Sequence, residues 1–147
     1  MTFKIKLDEN AFPLSKAYFT DAWYDIKTPI SFEIKPKSTF IINTGVHIQI
    51  PHEYAGLIVS KSGLNINHDI TSTGLIDEGY IEPIIVKLYN NANNTYYFNR
   101  GDKITQLLLV KTSYFNIKII NSLNKNSNSD SNNEIQRGYN GFGNSGK

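Results

Sequence analysis

The eleven residues FIINTGVHIQI, at positions 40–50, carry a mostly apolar side chain at every second position. The positions between them include more polar residues, among them Asn43, His47 and Gln49. A period of two is typical of a β-strand with one buried and one exposed face. The segment therefore predicts a half-buried strand.

Further β-rich runs follow along the chain, separated by turn signals. They are LIV at 57–59, IIVKLY at 84–89 and ITQLLLV at 104–110. Residues 113–121 alternate again, and we expect another strand there, with Phe115, Ile117 and Ile119 on one side. A short turn of helix fits near 64–68, and no stretch predicts a long helix. The whole pattern predicts an all-β sandwich or barrel of the jelly-roll kind.

Composition limits the function classes. With 147 residues, 39% of them hydrophobic and 19% charged, the chain has the size and make-up of one globular domain. A net charge of +2 does not indicate a nucleic-acid groove, so we expect no stable nucleic-acid partner. Cysteine is absent, which excludes thiol nucleophiles and Cys-ligated zinc, and the 3 histidines lack the spacing of a zinc site. No apolar run reaches the length of a membrane helix and no signal peptide is evident, so we expect a soluble, cytoplasmic protein without a membrane partner, or one inside the host cell if it is viral.

The carboxyl-terminal part differs in composition from the rest. Residues 121–134, NSLNKNSNSDSNNE, are almost all polar and predict a flexible tether. Residues 135–147 combine glycines with an arginine and aromatic rings, as in a mobile arm that closes over a ligand. The alternative is a frayed terminus. We therefore expect a β domain at 1–120, followed by the tether and the arm.

Four short segments could each carry chemistry or be plain structure. SKSGL at 60–64 offers a cation, hydroxyls and backbone N–H groups, which suit a phosphate, or it is only a turn. GLIDEGY at 74–80 places Asp77 at the end of an apolar run, either as a carboxylate that orients a water or as part of a hairpin turn. RGDKITQL at 100–107 places a glutamine inside an apolar strand, where its amide needs hydrogen-bond partners. DAWYDI at 21–26, taken alone, predicts a solvated loop.

Taken together and in this order, these segments and the arm resemble the five motifs of the trimeric dUTP pyrophosphatase (dUTPase) family. The matching stretches lie at 21–26, 61–64, 74–82, 101–107 and 137–146. The resemblance implies a jelly-roll-like barrel with a flexible C-terminal arm, assembled as a homotrimer with active sites at the subunit interfaces. It also implies that the protein hydrolyses dUTP to dUMP and pyrophosphate, with Mg²⁺ as cofactor.

The resemblance also implies roles for individual residues. Asp77 would be the catalytic residue that activates the attacking water, and Asp25 would contact magnesium through water. Tyr80 would pack on the deoxyribose and exclude a 2′-hydroxyl. The other substrate-binding residues that it implies are Lys61, Ser62, Gly63 and Gln106 for the phosphates, Thr71, Gly74, Leu75 and Ile76 for uracil, and Arg137, Phe142, Gly143, Asn144 and Ser145 of the arm.

Some positions depart from the family motifs, and two alternative functions stay open. Lys61 stands where the family has arginine, which turns a bidentate phosphate contact into a point charge. The other departures are Trp23, Ile81, Glu82 and Asn140. The alternatives are a dCTP deaminase of the same fold and a catalytically silent, dUTPase-like regulatory binder. Asp77 and the Phe142–Gly143 pair favour the hydrolase, because the deaminase is not expected to carry that pair and a pure binder needs no catalytic acid.

Overall fold

The computed structural model describes residues 3–122, which form ten β-strands and one short α-helix. In chain order the elements are β1 (Lys4–Leu7), β2 (Trp23–Lys27), β3 (Phe32–Ile34), β4 (Ser38–Asn43), β5 (Val46–Gln49), β6 (Tyr54–Val59), α1 (Ser62–His68), β7 (Ile70–Ile76), β8 (Ile85–Asn90), β9 (Tyr96–Phe98) and β10 (Lys103–Lys111). The helix lies where the sequence predicts a helical turn. The predicted all-β class is confirmed.

Six of the strands form one antiparallel sheet in the order β2-β10-β6-β7-β8-β4. Two antiparallel ribbons, β1-β5 and β3-β9, accompany it. One hydrophobic core joins these sheets, because its buried side chains come from strands β2 to β10 and from α1. Within residues 3–122, no helix combines the length and the apolarity that crossing a membrane requires.

The segment 40–50 keeps the predicted alternation of burial, but the prediction of a single strand is wrong. The chain breaks into β4 and β5 at Gly45, whose φ of 67° lies in the left-handed region that favours glycine. The buried Thr44 hydroxyl donates to the carbonyl oxygen of Ile84 at 2.8 Å and fixes the break. As a result, β4 pairs with β8 in the large sheet, whereas β5 pairs with β1 in a ribbon.

The predicted strand at 113–121 is also wrong. After β10 the described chain has no further strand up to residue 122. Phe115, Ile117 and Ile119 are 86%, 94% and 92% exposed. Alternation supplies an apolar face, but a strand also needs a neighbour that pairs with its backbone groups. Residues 1–114 form one compact unit and a second begins at Phe115; most of the predicted tether and the whole predicted arm lie outside the described residues.

The predicted loop at 21–26 is instead mostly strand. Trp23–Lys27 forms β2 at the edge of the large sheet, where it pairs with β10. Asp25 also exchanges backbone hydrogen bonds with Ser15, at 2.7 and 3.3 Å. Asp25 is only 5% exposed. A buried carboxylate needs nearby donors, and its donors form the first part of the candidate site.

Candidate active site

Two side chains of β10 hold the Asp25 carboxylate. Its Oδ2 lies 2.6 Å from Nζ of Lys103, and its Oδ1 accepts a hydrogen bond from Nε2 of Gln106 at 3.0 Å. The carboxylate side chain is 7% exposed, whereas the lysine side chain is 38% exposed. The amide of Gln106 therefore has the partner that its place in an apolar strand requires, and the ammonium group lies between Asp25 and solvent.

A β-bulge in β10 brings Lys103 and Gln106 to the same side of the sheet. In a regular strand, residues three apart point to opposite faces. Here Lys103 lies opposite Lys27 of β2. Gln106 lies opposite Asp25, two residues earlier on β2, and the register shifts between the two pairs. The extra residue of the bulge reverses the side-chain alternation at that point. Lys103 and Gln106 therefore lie on the same face of the sheet, and both reach the Asp25 carboxylate.

A cleft of about 640 Å³ lies beside this cluster and is lined by three lysines. Lys27 and Lys103 come from paired strands, and Lys61 immediately precedes α1. Nζ of Lys61 lies 3.6 Å from the point that a Cβ on Gly63 would occupy, so the ammonium group covers the first turn of the helix. Among residues 3–122, no side chain caps that turn. Asp102 also lines the cleft, but the lysines outnumber it, so the lining favours an anionic ligand.

A second, smaller pocket of about 220 Å³ lies at the end of β7. Its lining consists of apolar residues and a glycine, with Asp77 and Tyr80 as its polar members; the full set is Ile58, Gly74, Leu75, Ile76, Asp77, Tyr80, Ile84 and Ile85. The Asp77 side chain is exposed and forms no hydrogen bond or ion pair with the described residues. Its oxygens are therefore available to accept hydrogen bonds from a bound water.

The turn that follows β7 sets Asp77 and Tyr80 relative to each other. The backbone N–H of Tyr80 donates to the carbonyl oxygen of Asp77 at 3.3 Å. Gly79 between them has a φ of 88°, a left-handed conformation that favours glycine. The Tyr80 hydroxyl donates to the carbonyl oxygen of Pro83 at 3.1 Å. Tyr80 as a whole is still 39% exposed, which leaves room for contact with a ligand.

Glu78, the neighbour of Asp77, attaches the turn to the rest of the protein. Its carboxylate accepts hydrogen bonds from the Tyr114 hydroxyl, from Nδ1 of His52 at 2.9 Å and from the backbone N–H of Glu53 at 3.2 Å. The bonds from Tyr114 and then from His52 hold the pKa of Glu78 below its ordinary value. The same bond with Glu78 raises the pKa of His52. The turn is thus hydrogen-bonded to the segment before β6 and to the segment after β10.

The lysine cleft and the Asp77 pocket lie at opposite ends of the β6–β7 pair. Ile76, next to Asp77, pairs with Gly56. At the other end, the Ser60 hydroxyl donates to the carbonyl oxygen of Ser72 at 3.0 Å, just before α1. These points are four residue steps apart on each strand, which is roughly 13 Å. The two cavities also share no lining residue.

The remaining predicted site residues have varied positions. Ser62 is exposed at the start of α1. Thr71 is on β7 but does not line the Asp77 pocket, and its hydroxyl accepts a hydrogen bond from Nδ2 of Asn91 at 3.1 Å. The predicted arm residues lie outside the described residues; they are Arg137, Phe142, Gly143, Asn144 and Ser145.

Of the residues that line the lysine cleft, sequence reasoning names only Lys61 and Gly63 as site residues. Lys103 lies inside the motif segment 101–107, and Lys27 follows the motif segment 21–26 by one residue, so both had a local signal. Tyr96 and Phe98 come from β9, which has no motif. Only folding brings β9 to the cleft, so the sequence held no signal for these two.

The fold and the two cavities define a class: a β-sheet protein with a cleft lined by three lysines and a separate pocket that presents a carboxylate. The sequence model of the family described as dUTPase matches residues 10–146. The chain belongs to the dUTPase family.

Individual relatives and solved structures agree with this membership. Two proteins named deoxyuridine 5′-triphosphate nucleotidohydrolase are 35% identical to this chain, one from Yaba monkey tumor virus over 126 residues (85% of this chain, 82% of the relative) and one from Haemophilus influenzae over 146 residues (94% and 90%). A mutant dUTPase from phage phi11 of S. aureus, described with a structural Mg(II) ion, has a TM-score of 0.77 at 28% identity and covers 83% of this chain and 98% of its own. A mutant dUTPase of Staphylococcus bacteriophage 80alpha, solved with dUpNHpp, has a TM-score of 0.86 at 25% identity over 99% of both chains. The predicted dUTPase-like fold is thereby confirmed.

Proposed function

We propose that this protein hydrolyses dUTP to dUMP and pyrophosphate. The observation that carries the proposal is the pair of cavities, one with three lysines and the other with Asp77 beside Tyr80. A triphosphate needs a concentration of positive charge, and a nucleoside needs an apolar pocket with a few directed polar groups. The chain offers both, and its relatives are named for this reaction.

In this proposal Asp77 acts as the general base on the attacking water. Its carboxylate is exposed and free of partners among residues 3–122, so it can accept the proton of a water held against the substrate. Lys61, Lys103 and the backbone at 62–63 bind the phosphate oxygens and stabilise the charge that develops there. The arm, through Arg137 and its neighbours, closes over the phosphates and excludes bulk water.

Magnesium fits the donor set as an ion held mainly by the substrate. Within the described residues, no three His, Cys, Asp or Glu side chains cluster as ligands. Asp25 accepts one donor on each oxygen, and a carboxylate has about four lone-pair sites, so it can also accept hydrogen bonds from metal-bound water. Mg²⁺ in nucleotide sites keeps several waters and binds one or two carboxylates plus phosphates. Asp25 would hold the ion through water, and the bound ion supplies positive charge to the phosphates.

The Asp77 pocket would select both the sugar and the base. Tyr80 would pack on the deoxyribose where a 2′-hydroxyl has no room. The backbone at 71–76 would pair with the edge of uracil, and cytosine would leave polar groups unpaired in a largely apolar pocket. Phe142 of the arm would stack on the base. We therefore expect UTP and dCTP to be turned over far more slowly than dUTP, and comparable rates would contradict the assigned pocket.

We infer that the active protein is a homotrimer. The roughly 13 Å between the two ends of the β6–β7 pair, together with two cavities that share no lining residue, supports a site that combines the lysine cleft of one subunit with the Asp77 pocket of another. A closed ring of identical subunits supplies such interfaces. Light scattering during turnover tests this: we expect the mass of three chains, and a fully active monomer would contradict the inference.

A single assay separates the candidate functions. The protein is incubated with Mg²⁺ and either dUTP or dCTP, and pyrophosphate and ammonia are measured. Pyrophosphate from dUTP supports the proposal, and ammonia from dCTP identifies a deaminase of the same fold. Binding of dUTP without either product identifies a silent regulatory binder. The proposed compartment is that of the deoxynucleotide pool, the cytoplasm or the host cell interior, where the reaction removes dUTP and supplies dUMP.

A further inference from the structure

We propose that His47 is a positioning residue for the loop at 77–83, which carries Asp77 and Tyr80, and that it performs this role as an imidazolium. His47 lies on β5 and its side chain is 13% exposed. The consequence for activity rests on the proposed hydrolysis of dUTP. The structural part of the proposal can be tested without turnover.

Both nitrogens of the His47 ring contact hydrogen-bond acceptors. Nδ1 lies 2.8 Å from the carbonyl oxygen of Ile81, and Nε2 lies 3.0 Å from Oδ1 of Asp8. A carbonyl and an ionised carboxylate only accept, so the ring has to donate from both nitrogens. A neutral imidazole has a single N–H. Only the imidazolium therefore satisfies the two contacts together.

The groups around His47 favour its charged form. The bond to the Ile81 carbonyl, followed by the bond to Asp8, raises the pKa of His47 above its ordinary value. The bond from His47 in turn is the main cause that lowers the pKa of Asp8. Lys6 of β1 opposes the ring charge, but it lies 3.5 Å from the same Asp8 oxygen and its side chain is 73% exposed. Asp8 thus outweighs Lys6.

The contact with Ile81 reaches the part of the loop that other attachments leave free. Glu78 is hydrogen-bonded to His52 and Glu53 at the start of the loop, and after the loop the backbone N–H of Ile84 donates to the carbonyl oxygen of Val46 in β5 at 2.8 Å. Between these attachments Gly79 is in an open position, where a Cβ would meet nothing within 4 Å. His47 binds the carbonyl of Ile81, the residue next to Tyr80. His47 therefore fixes the backbone of the stretch that follows Asp77 and positions the Tyr80 ring.

When the His47 ring loses a proton, we expect its bond to Ile81 in the loop to break and its bond to Asp8 to remain. When the pH rises through the raised pKa of His47, the ring keeps one N–H. A hydrogen bond to an ionised carboxylate is stronger than one to a neutral carbonyl, so the remaining N–H stays on Asp8. The bond to Ile81 is then lost. We expect kcat to decline on the alkaline side for this reason.

Two substitutions separate the two bonds, because the amide nitrogen of asparagine lies near the place of Nδ1 and that of glutamine near the place of Nε2. His47→Gln keeps donation to Asp8 alone, and we expect its kcat to fall roughly 10-fold at neutral pH with KM changed less than about twofold. It should also lack the alkaline decline of the parent. His47→Asn keeps donation to Ile81 without a charge, so its kcat should stay near that of the parent and persist at alkaline pH. Lys4→Gln, on the same ribbon, is the control for loss of a charge.

Hydrogen exchange measures the loop directly. At one pH, the amide of Tyr80 should exchange at least roughly threefold faster in His47→Gln than in the parent and should be unchanged in His47→Asn. Equal effects of the two substitutions, or an alkaline decline that persists in His47→Gln, would overturn the proposal. A parent that does not hydrolyse dUTP would refute the proposed function, whereas the exchange rates would still decide whether His47 holds the loop.

Discussion

Asp25 and Asp77 belong to the two halves of the candidate site, and their surroundings are opposite. Asp25 is 5% exposed, paired with Lys103 and hydrogen-bonded to Gln106. Asp77 is exposed and lies on a loop attached to its neighbours through the side chains of Glu78 and His47. The first carboxylate is buried among side chains of the sheet, whereas the second is exposed on a loop that follows a strand of the sheet.

This difference indicates what each carboxylate contributes. The bonds of Asp25 exist before any ligand arrives, and their loss would leave polar groups without partners in a buried place. Asp77 makes no such bonds with the described residues, so its acceptor capacity is available to water and substrate. Substitution of Asp25 should therefore reduce stability, and substitution of Asp77 should reduce turnover. The same change, aspartate to asparagine, can be made at both positions.

The largest expected effect is that of Asp77→Asn. Asparagine keeps the size of the side chain but cannot accept the proton of water, and loss of a general base lowers kcat by roughly 10²- to 10⁴-fold. Steady-state pyrophosphate release measures kcat, and calorimetry with a non-hydrolysable dUTP analogue should show retained binding. Asp69→Asn is the matched control, because Asp69 ends α1 with a φ of 54°, which asparagine tolerates. Turnover within a few-fold of the parent would place the base elsewhere.

The next largest effect should follow from deletion of 135–147. In the proposed mechanism, ordering the arm would cost roughly 1–2 kcal/mol per residue for the backbone, and Phe142 on the base and Arg137 on the phosphates would have to offset that cost. We expect the truncated protein to remain a folded trimer with kcat/KM reduced by roughly 10²-fold, since stacking alone contributes about 1–3 kcal/mol. The kcat/KM of Phe142→Ala should lie between that of the truncated protein and that of the parent. A fully active truncation would show that the segment is a frayed terminus.

Asp25→Asn should lower the free energy of unfolding more than Asp77→Asn does. The change removes the partner of Lys103 and disturbs the acceptor of Gln106, and we expect the free energy of unfolding to fall by about 1–3 kcal/mol. Asp77→Asn should change it by less than about 0.5 kcal/mol, as is usual for an exposed side chain. Urea denaturation of the two variants and the parent measures both values. Equal losses would mean that the contrast in burial has no energetic counterpart.

The exposed half of the site was open to prediction from the sequence because its parts are neighbours in the chain. The apolar run of β7, the carboxylate and Gly79 stand within a few residues of each other, and the structure forms a strand followed by a turn there. The buried half depends on a partner about 80 positions away. Nothing within 21–26 shows that Gln106 and Lys103 will cover Asp25, so the segment predicted a loop.

Two further differences have the same physical origin. The bulge that aligns Lys103 with Gln106 depends on the pairing of β10 with β2 and has no local signal. The alternation at 113–121 is real, but the structure gives that segment no partner strand among residues 3–122. Alternation predicts which face a strand would bury, whereas pairing decides whether the strand forms.

The smallest expected effect concerns the pH dependence of the Glu78–His52 pair, which attaches the exposed half. The bond with Glu78 raises the pKa of His52, so that contribution to stability is complete below about 6.5 and is lost as the pH rises through the higher folded value. The bonds from Tyr114 and His52 lower the pKa of Glu78, so its contribution is complete above about 4.3 and is lost as the pH falls through the lower folded value. Glu78→Gln should therefore lower Tm most between about pH 4.3 and 6.5 and less on either side, whereas Glu82→Gln on the same loop should lack this profile. Thermal melts of the two variants and the parent across this range measure the difference, and a Tm loss for Glu78→Gln that does not vary with pH would show that the pair attaches the turn by packing rather than by charge.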